Sequence, residues 1–310
     1  MAALQAKDTV RGQELLAWFP RILIAPRDKQ VTQTKRPPNR NTHRFANVTE
    51  RSATMLIREP LRTPSHHQEE EEISSQPLNV SVHHPFYKEN NMLLQLCAFD
   101  DTSGGIHHGT LHAASAIIAN NRFDGYLSET RAPGVPLTAL HNDVLLLDKY
   151  YFHVPDDPEY AVVPTFRHWQ FPHNRIPQSW TELGGSTRAP AATAAHSDMS
   201  FAVRLRDSKC RVSGYLEGLQ IAHLCPQAEE PWANRNEMGK FAVNPLAQPG
   251  HWINNALCLR ADLHLAFAQR RFVLLPKLDK LVVHVLEASR ELLRLYHNCL
   301  LYTSPSPRDS

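Results

Sequence analysis

The sequence predicts an α+β protein, and three observations lead to this prediction. Four short apolar segments of strand length lie in the last third of the chain, at residues 219–224, 253–259, 271–275 and 281–286. Helical patterns alternate with them at residues 262–269 and 287–298. Apolar stretches at residues 93–97 and 113–119 predict a mainly helical region of unknown role over residues 86–185.

The N-terminal part of the chain differs in composition from the rest. Residues 1–27 predict a short helical segment, and residues 28–85 predict a disordered or low-complexity stretch rich in Ser, His and Pro. The basic run Lys35–Arg40 and the acidic run Glu69–Glu72 lie in this stretch, whose apolar surface is too small to offset the entropy of ordering. The basic run is either a nuclear address or a solvated patch, and the sequence leaves both open.

The composition limits the classes of function. A formal net charge of +2 over 310 residues gives no global attraction to nucleic acid or membrane, so any such attraction must be local. No apolar run approaches the roughly 18 residues of a transmembrane helix, and Asp8, Arg11 and Glu14 argue against a signal peptide. The widely spaced cysteines do not form a disulfide framework. We therefore expect an intracellular protein without a membrane partner, located in the nucleus or the cytoplasm.

The last residues have an unusual sequence. Residues 299–309 are identical to the translation of a sequencing-library adapter. This identity predicts that residues 299–310 are an adapter-derived tail and that the natural reading frame is interrupted near Asn298. A natural Ser/Pro-rich tail is the alternative, and both origins predict disorder.

A stretch of small residues predicts a domain boundary. Residues 184–195 contain mostly Gly, Ala, Ser, Thr and Pro, which is typical of a linker. We therefore expect a separate C-terminal domain over residues 201–298.

Three polar residues lie at the ends of the elements predicted in this C-terminal domain. His223 ends the first strand, Asn255 begins the second strand, and His264 lies nine residues later on the helix. This order of His, Asn and His on strand, strand and helix is that of the HNH, or ββα-metal, nuclease motif. Asn254 competes for the middle position, and the nine-residue interval favours Asn255.

The sequence around these residues resembles the fungal HNH nuclease-domain family over about residues 204–298. The resemblance is carried by Arg206–Gly214, Ala222–Leu224, Trp232–Met238, Asn255–His264, Phe272–Lys277 and Val282–His284. The upstream segment Ala116–Leu127 resembles, less specifically, a region that precedes the domain in such proteins.

The resemblance implies a metal-dependent endonuclease that acts on DNA. It assigns His223 as the general base, Asn255 as the amide that holds the His-bearing loop, and His264 as a ligand of a divalent cation. A histidine suits the base because its ordinary pKa lies near neutrality. The cation, expected to be Mg²⁺ with Mn²⁺ or Zn²⁺ as alternatives, would neutralise the charge on the transition state and the leaving 3′ oxygen. By the same resemblance, DNA would lie with its minor groove over the helix.

One metal ligand of the family pattern is missing. The family commonly carries Asp or His four residues after the last His, on the same helix face, and this chain has Ala268 there. Asp262 is a poor substitute because it lies about 200° around the helix from His264. The residue before the first His is often Asp or His in the wider superfamily and is Ala222 here, although Ala is ordinary in the fungal branch that the sequence resembles. A single protein ligand would hold a cation weakly.

The basic residues near the predicted helix have two interpretations. Arg260, Arg270 and Arg271 are candidates for contacts with nucleic-acid phosphates. A solvated helix flank is the alternative.

Two further groups resemble metal sites without their spacing. The His-rich segment Ile106–His112 has no matching cysteine or carboxylate, and we expect a polar loop that leads into a helix. Cys210, Cys225 and Cys258 lack a Cys-x-x-Cys pair, which favours buried thiols over zinc ligands.

Three hypotheses on function follow from the sequence. The leading one is an HNH-type endonuclease that cleaves DNA phosphodiester bonds with His223 as base and His264 as metal ligand. The alternative, which Ala268 favours, is a catalytically degenerate HNH module that binds nucleic acid or protein. The third is a scaffold whose interaction surface lies in residues 86–185.

Overall fold

The computed structural model describes residues 55, 57, 79–102, 104–177, 199–242, 244, 246–278, 280–286 and 289–302. The predicted N-terminal helix within residues 1–27, the predicted linker at 184–195 and most of the stretch 28–85 predicted to be disordered lie outside these residues. At the end of that stretch, Asn79–His83 form a β-strand, so the prediction of disorder is wrong there. Among the described residues, no helix has the length and apolar character needed to cross a membrane.

The upstream part, residues 79–177, contains more strands than helices. In chain order its elements are β1 (Asn79–His83), β2 (Met92–Cys97), β3 (Ile106–His107), α1 (His108–Ile118), β4 (Tyr126–Ser128), β5 (Val144–Leu145) and β6 (Lys149–His153). Four strands form a sheet in the order β2-β1-β6-β4, in which β1 is antiparallel to β2 and parallel to β6. β3 and β5 form a separate antiparallel pair.

The prediction of a mainly helical region over residues 86–185 is not confirmed. The apolar run at 93–97 was expected to be helical, but it lies in β2, which pairs with β1 along Asn79↔Cys97 to Val82↔Leu94. Leu favours helices only weakly, and pairing with a neighbouring strand overrides that preference. The second run does form a helix, α1, which ends before Asn120 and Asn121, both in the left-handed region.

The C-terminal part is built around two strand hairpins. Its elements are α2 (Met199–Asp207), β7 (Leu219–His223), α3 (Glu230–Arg235), β8 (Ala256–Arg260), α4 (Ala261–Ala268), β9 (Phe272–Lys277), β10 (Lys280–Val285) and α5 (Arg290–Tyr296). β7 pairs antiparallel with β8, and β9 pairs antiparallel with β10. A long segment with short helical turns separates β7 from β8, whereas α4 follows β8 directly.

The β7–β8 hairpin is covered by helices on both faces. α4 packs against β7, and α2 packs against β8. Val203 of α2 forms a small apolar cluster with Ala256 and Cys258, while Leu263 of α4 belongs to the main core with Ala222. This double coverage explains why Ala256–Leu259 are all buried instead of alternating between core and solvent.

The apolar core is continuous between the upstream part and the C-terminal part. The rings of Trp169 and Trp232 stack with their centroids 5.6 Å apart, and Trp232 Nε1 donates to the Trp169 carbonyl at 2.8 Å. Close by, the Phe171 N–H donates to Asn236 Oδ1 at 2.7 Å. The segment between β7 and β8 therefore packs on the segment that follows β6.

The first residues of the predicted adapter-derived tail pack against the C-terminal part. Cys299 is buried, and Leu300 forms a β-bridge with Val282 of β10. The Tyr302 N–H donates to the Arg211 carbonyl at 2.8 Å. The predicted disorder is therefore not confirmed for residues 299–302, and residues 303–310 lie outside the described part of the chain.

A buried ion pair also joins the two parts. The Lys277 ammonium at the end of β9 donates to Asp100, which follows β2, and both side chains are fully buried. Lys277 also donates to His284 Nδ1 at 2.9 Å and to Asn298 Oδ1 at 2.8 Å, so all three of its N–H groups have acceptors.

The carboxylate of Asp100 accepts further hydrogen bonds. His297 Nε2 and Asn298 Nδ2 donate to its Oδ1 at 2.9 and 3.0 Å, and the His107 N–H donates to its Oδ2 at 2.7 Å. Burial alone would raise the pKa of Asp100, but the Lys277 charge and the His297 hydrogen bond hold that pKa well below its usual range.

We predict that Lys277→Met lowers the free energy of unfolding by about 3–5 kcal/mol, because it leaves the buried Asp100 charge without its partner. Urea unfolding of the full chain measures this loss. Lys280→Met is the matched control, since Lys280 is exposed and its replacement should change stability by less than about 0.5 kcal/mol.

A double variant, Asp100→Asn with Lys277→Met, keeps the test informative if Lys277→Met alone does not fold. It should be more stable than Lys277→Met, because no unpaired charge is then buried. Equal stability of Lys277→Met and Lys280→Met would contradict the assigned role.

Candidate functional site

The β7–β8 hairpin and α4 carry the three residues that the sequence singled out. His223 is the last residue of β7 and lies opposite Ala256 in the strand register. Asn255 ends the short helical turn Ile253–Asn255 immediately before β8. His264 lies in the first turns of α4, which packs on β7.

Asn255 fixes the backbone on both sides of the hairpin. Its Oδ1 accepts from the Cys225 N–H at 2.6 Å, and its Nδ2 donates to the carbonyls of Cys225 at 2.9 Å and Pro249 at 3.0 Å. The side chain is buried, so these bonds are shielded from competing water. Cys225 lies two residues after His223, and Pro249 precedes Gly250. One amide therefore positions the segments on either side of the His223 ring.

The hydrogen bond of His223 determines which ring nitrogen carries a lone pair. His223 Nε2 lies 3.1 Å from the Gly250 carbonyl oxygen, which only accepts. Nε2 therefore carries the hydrogen, and in the neutral ring the lone pair lies on Nδ1. The half-buried ring can accept a proton through Nδ1 without breaking its bond to Gly250.

His264 is held from the neighbouring strand. Its Nδ1 lies 2.7 Å from Oε1 of Gln220 on β7. Burial, followed by the nearby charge of His223, lowers the pKa of His264 below its ordinary value. A neutral imidazole is the form that binds metal ions.

Gln220 was not among the residues predicted from the sequence. Strand alternation gives a signal, because residues 220 and 222 of β7 share the face on which α4 packs. A polar residue at the exposed edge of that face is placed to reach a residue in the first turns of the helix. Gly250 was also missed, since only its backbone carbonyl takes part.

The missing ligand positions are as expected from the sequence. Ala268, four residues after His264, is exposed at the end of α4. Asp262 pairs with Arg260, whose Nε and Nη2 lie 2.6 and 2.7 Å from the two carboxylate oxygens. Ala222 is fully buried in the core. Of these three positions, none offers a carboxylate or imidazole to a cation bound by His264.

The three arginines considered for phosphate contacts differ in their surroundings. The Arg260 guanidinium, besides its pair with Asp262, donates to the Tyr296 hydroxyl at 3.2 Å and lies 4.7 Å from the Tyr215 ring centroid. A contact with phosphate would have to compete with these partners. Arg270 and Arg271 follow α4 and are partly exposed, and Arg270 has a left-handed backbone with φ of 63°.

A cluster with metal-ligand chemistry lies elsewhere in the described residues. Asp100, His284 and His297 offer ligand atoms within 4.8 Å of one another, and all three side chains are buried. The Lys277 ammonium already donates to Asp100 and to His284 Nδ1, so it supplies the positive charge that a metal ion would bring. We interpret this cluster as a structural ion-pair network.

The remaining candidate groups are structural as well. Cys210, Cys225 and Cys258 are buried and form no disulfide with another described cysteine, as expected for core thiols. The polar loop predicted for the His-rich segment is not observed, because its first two residues form β3 and α1 begins at His108. His107 caps this helix by accepting the Thr110 N–H through Nδ1 at 3.1 Å. Burial lowers the pKa of His107 to about 3, which keeps it neutral as a capping acceptor.

We predict that Asn255→Ala lowers the free energy of unfolding by about 2 kcal/mol or more, because it removes the three hydrogen bonds that the buried Asn255 amide makes with the Cys225 and Pro249 backbone. Chemical denaturation monitored by tryptophan fluorescence measures this change. Asn234→Ala, at an exposed position of α3, is the control and should unfold like the wild type. If the two variants were equally stable, the proposed role of the Asn255 amide would be wrong.

Comparison with known proteins gives a match to a family model. Residues 210–275 match the family model described as HNH endonuclease. The matched segment covers β7, α3, β8, α4 and the first four of the six residues of β9. A search of the curated proteins finds no match, and a search of the solved structures finds none either. The C-terminal part of this α+β chain thus contains an HNH endonuclease-type domain, and the match does not distinguish a fungal branch of that family.

Proposed function

We propose that the C-terminal domain hydrolyses DNA phosphodiester bonds in a reaction that requires a divalent cation. The observation that carries this proposal is the hydrogen bond from His223 Nε2 to the Gly250 carbonyl, which leaves Nδ1 as a base. The match to the HNH endonuclease family supports a nucleic-acid substrate. DNA as the substrate and the roles of individual residues are part of the proposal.

His223 would act on the attacking water. Its Nδ1 accepts a proton from water as the oxygen attacks phosphorus, and the bond to Gly250 keeps the ring oriented as it becomes positively charged. The P–O bond to the 3′ oxygen then breaks. Asn255 contacts neither water nor phosphate in this scheme. It is a positioning residue, because it fixes the backbone that carries His223 and its acceptor.

His264 would hold the cation through the ring nitrogen that is not bonded to Gln220. A bound divalent cation supplies positive charge that stabilises the developing charge on phosphate and on the leaving oxygen. The donor set fits such an ion in part, because Mg²⁺ commonly keeps several waters and takes few protein ligands. With Ala268 in place of a second donor, weak binding is expected, and Mn²⁺ should support activity better than Mg²⁺ because imidazole is a better ligand for transition metals.

The second candidate is an HNH module that binds nucleic acid or protein without cutting. The absence of a second donor at Ala268 favours it. A module of this kind would bind DNA with or without a divalent cation.

We predict that the full chain nicks supercoiled plasmid in Mn²⁺ and that His223→Ala reduces the rate by about a hundredfold or more, through loss of the base. His264→Ala should also reduce nicking and raise the Mn²⁺ concentration required. His168→Ala is the control, since His168 is exposed and lies outside the hairpin, and it should cut at the wild-type rate.

Undiminished nicking by His223→Ala would show that a contaminating nuclease or another residue is responsible. DNA binding by anisotropy without nicking by the wild type would instead support the second candidate.

We predict that Ala268→Asp lowers the Mn²⁺ concentration for half-maximal nicking by about tenfold, because it adds a charged ligand on the face of α4 that carries His264. Titration of Mn²⁺ in the plasmid assay measures this shift. Ala268→Asn, which has the same shape without the charge, is the control and should gain much less. If neither variant shifts the Mn²⁺ titration, the cation does not bind on this face.

A further inference from the structure

The geometry points to Gln220 as the positioning residue that selects the metal-binding nitrogen of His264. This inference rests on the proposed function, because it concerns the ring nitrogen that would meet the cation. Neither the motif residues nor the family match assigns a role to Gln220.

The position of Gln220 follows from the strand. Gln220 and Ala222 lie on the face of β7 against which α4 packs. Ala222 is fully buried in the core to which Leu263 and Ala266 of α4 also belong, whereas Gln220 lies at the exposed end of that face. Since α4 begins immediately after β8, its first turns are held beside β7, and the Gln220 amide reaches the His264 ring.

The chemistry of the contact sets the tautomer of His264. Gln220 Oε1, 2.7 Å from Nδ1, is an amide oxygen and can only accept, so Nδ1 carries the hydrogen. The lone pair of neutral His264 then lies on Nε2, on the other side of the ring from Gln220. Histidines that bind metals commonly donate their second ring N–H to a carboxylate, carbonyl or water, and such partners tune metal affinity. Gln220 supplies a partner of this type, which partly offsets the missing donor at Ala268.

The first test measures the tautomer directly. Long-range ¹H–¹⁵N spectra of the metal-free full chain, labelled with ¹⁵N-histidine, distinguish Nδ1–H from Nε2–H at His264. We expect Nδ1–H in the wild type and in Gln220→Glu, which retains an acceptor. Gln220→Met should lose this preference. Gln95→Met, which changes an exposed glutamine on β2, is the matched control and should resemble the wild type.

The second test measures cation binding without any reaction. Paramagnetic broadening of the His264 signals during titration with Mn²⁺ gives its affinity. We expect Gln220→Met to weaken Mn²⁺ binding by about tenfold or more, Gln220→Glu to bind at least as tightly as the wild type, and His264→Ala to lose the site. A general effect on folding would weaken Mn²⁺ binding in both Gln220→Met and Gln220→Glu. Retained Mn²⁺ affinity in Gln220→Glu alone therefore indicates that residue 220 acts by positioning His264.

Two results would overturn the inference. One is Nε2–H in the wild type, which would mean that the amide of Gln220 donates to Nδ1. The other is equal Mn²⁺ affinity of Gln220→Met and the wild type. Either result leaves the nuclease proposal intact if the wild type still nicks plasmid. Conversely, the expected tautomer and affinities without nicking would support Gln220 and reject the nuclease proposal.

Discussion

The local geometry of the candidate site depends on one buried amide. Asn255 is bonded to Cys225 just after β7 and to Pro249 near the end of the intervening segment. A long segment between paired strands has many conformations, and each polar backbone group that it buries must find a partner. By satisfying several of these groups at once, the amide defines where the segment leaves β7 and where it returns. The orientation of His223 is a consequence of this constraint, because its acceptor is the residue after Pro249.

A second constraint acts at the β9–β10 hairpin of the C-terminal part. There, Asp100 and Lys277 are separated by 177 positions in sequence and meet as a fully buried pair. Their charges are tolerable in the core because every N–H of the ammonium has an acceptor and the carboxylate accepts from three further donors. The upstream sheet and the β9–β10 hairpin are thereby fixed relative to each other by directional bonds in addition to apolar contacts.

Much of the C-terminal part could be predicted from the sequence, because its signals are local. Strand-length apolar runs, the helix after β8, and the spacing of Asn255 and His264 are all read over short distances along the chain. The prediction failed at residues 93–97, where the partner strand β1 determines the structure and propensity does not. The contact of Lys277 with Asp100 joins distant segments, and no local pattern encodes it. For Gln220, strand alternation indicates the face shared with α4 but does not identify His264 as its partner. A motif made of side chains does not reveal which backbone carbonyl accepts a hydrogen bond, so the role of Gly250 could not be predicted from the sequence.

The stacking of Trp169 on Trp232 limits how this architecture can change in evolution. A nuclease-type hairpin is often regarded as a unit that recombination can move between unrelated proteins. In this chain, Trp232, one of the two tryptophans in the segment between the hairpin strands, stacks on an upstream segment. Transfer of residues 201–298 alone would expose the Trp232 indole to water. The recipient protein would therefore have to supply an aromatic side chain in the place of Trp169. Inheritance of the two segments together therefore costs less stability than transfer of residues 201–298 alone.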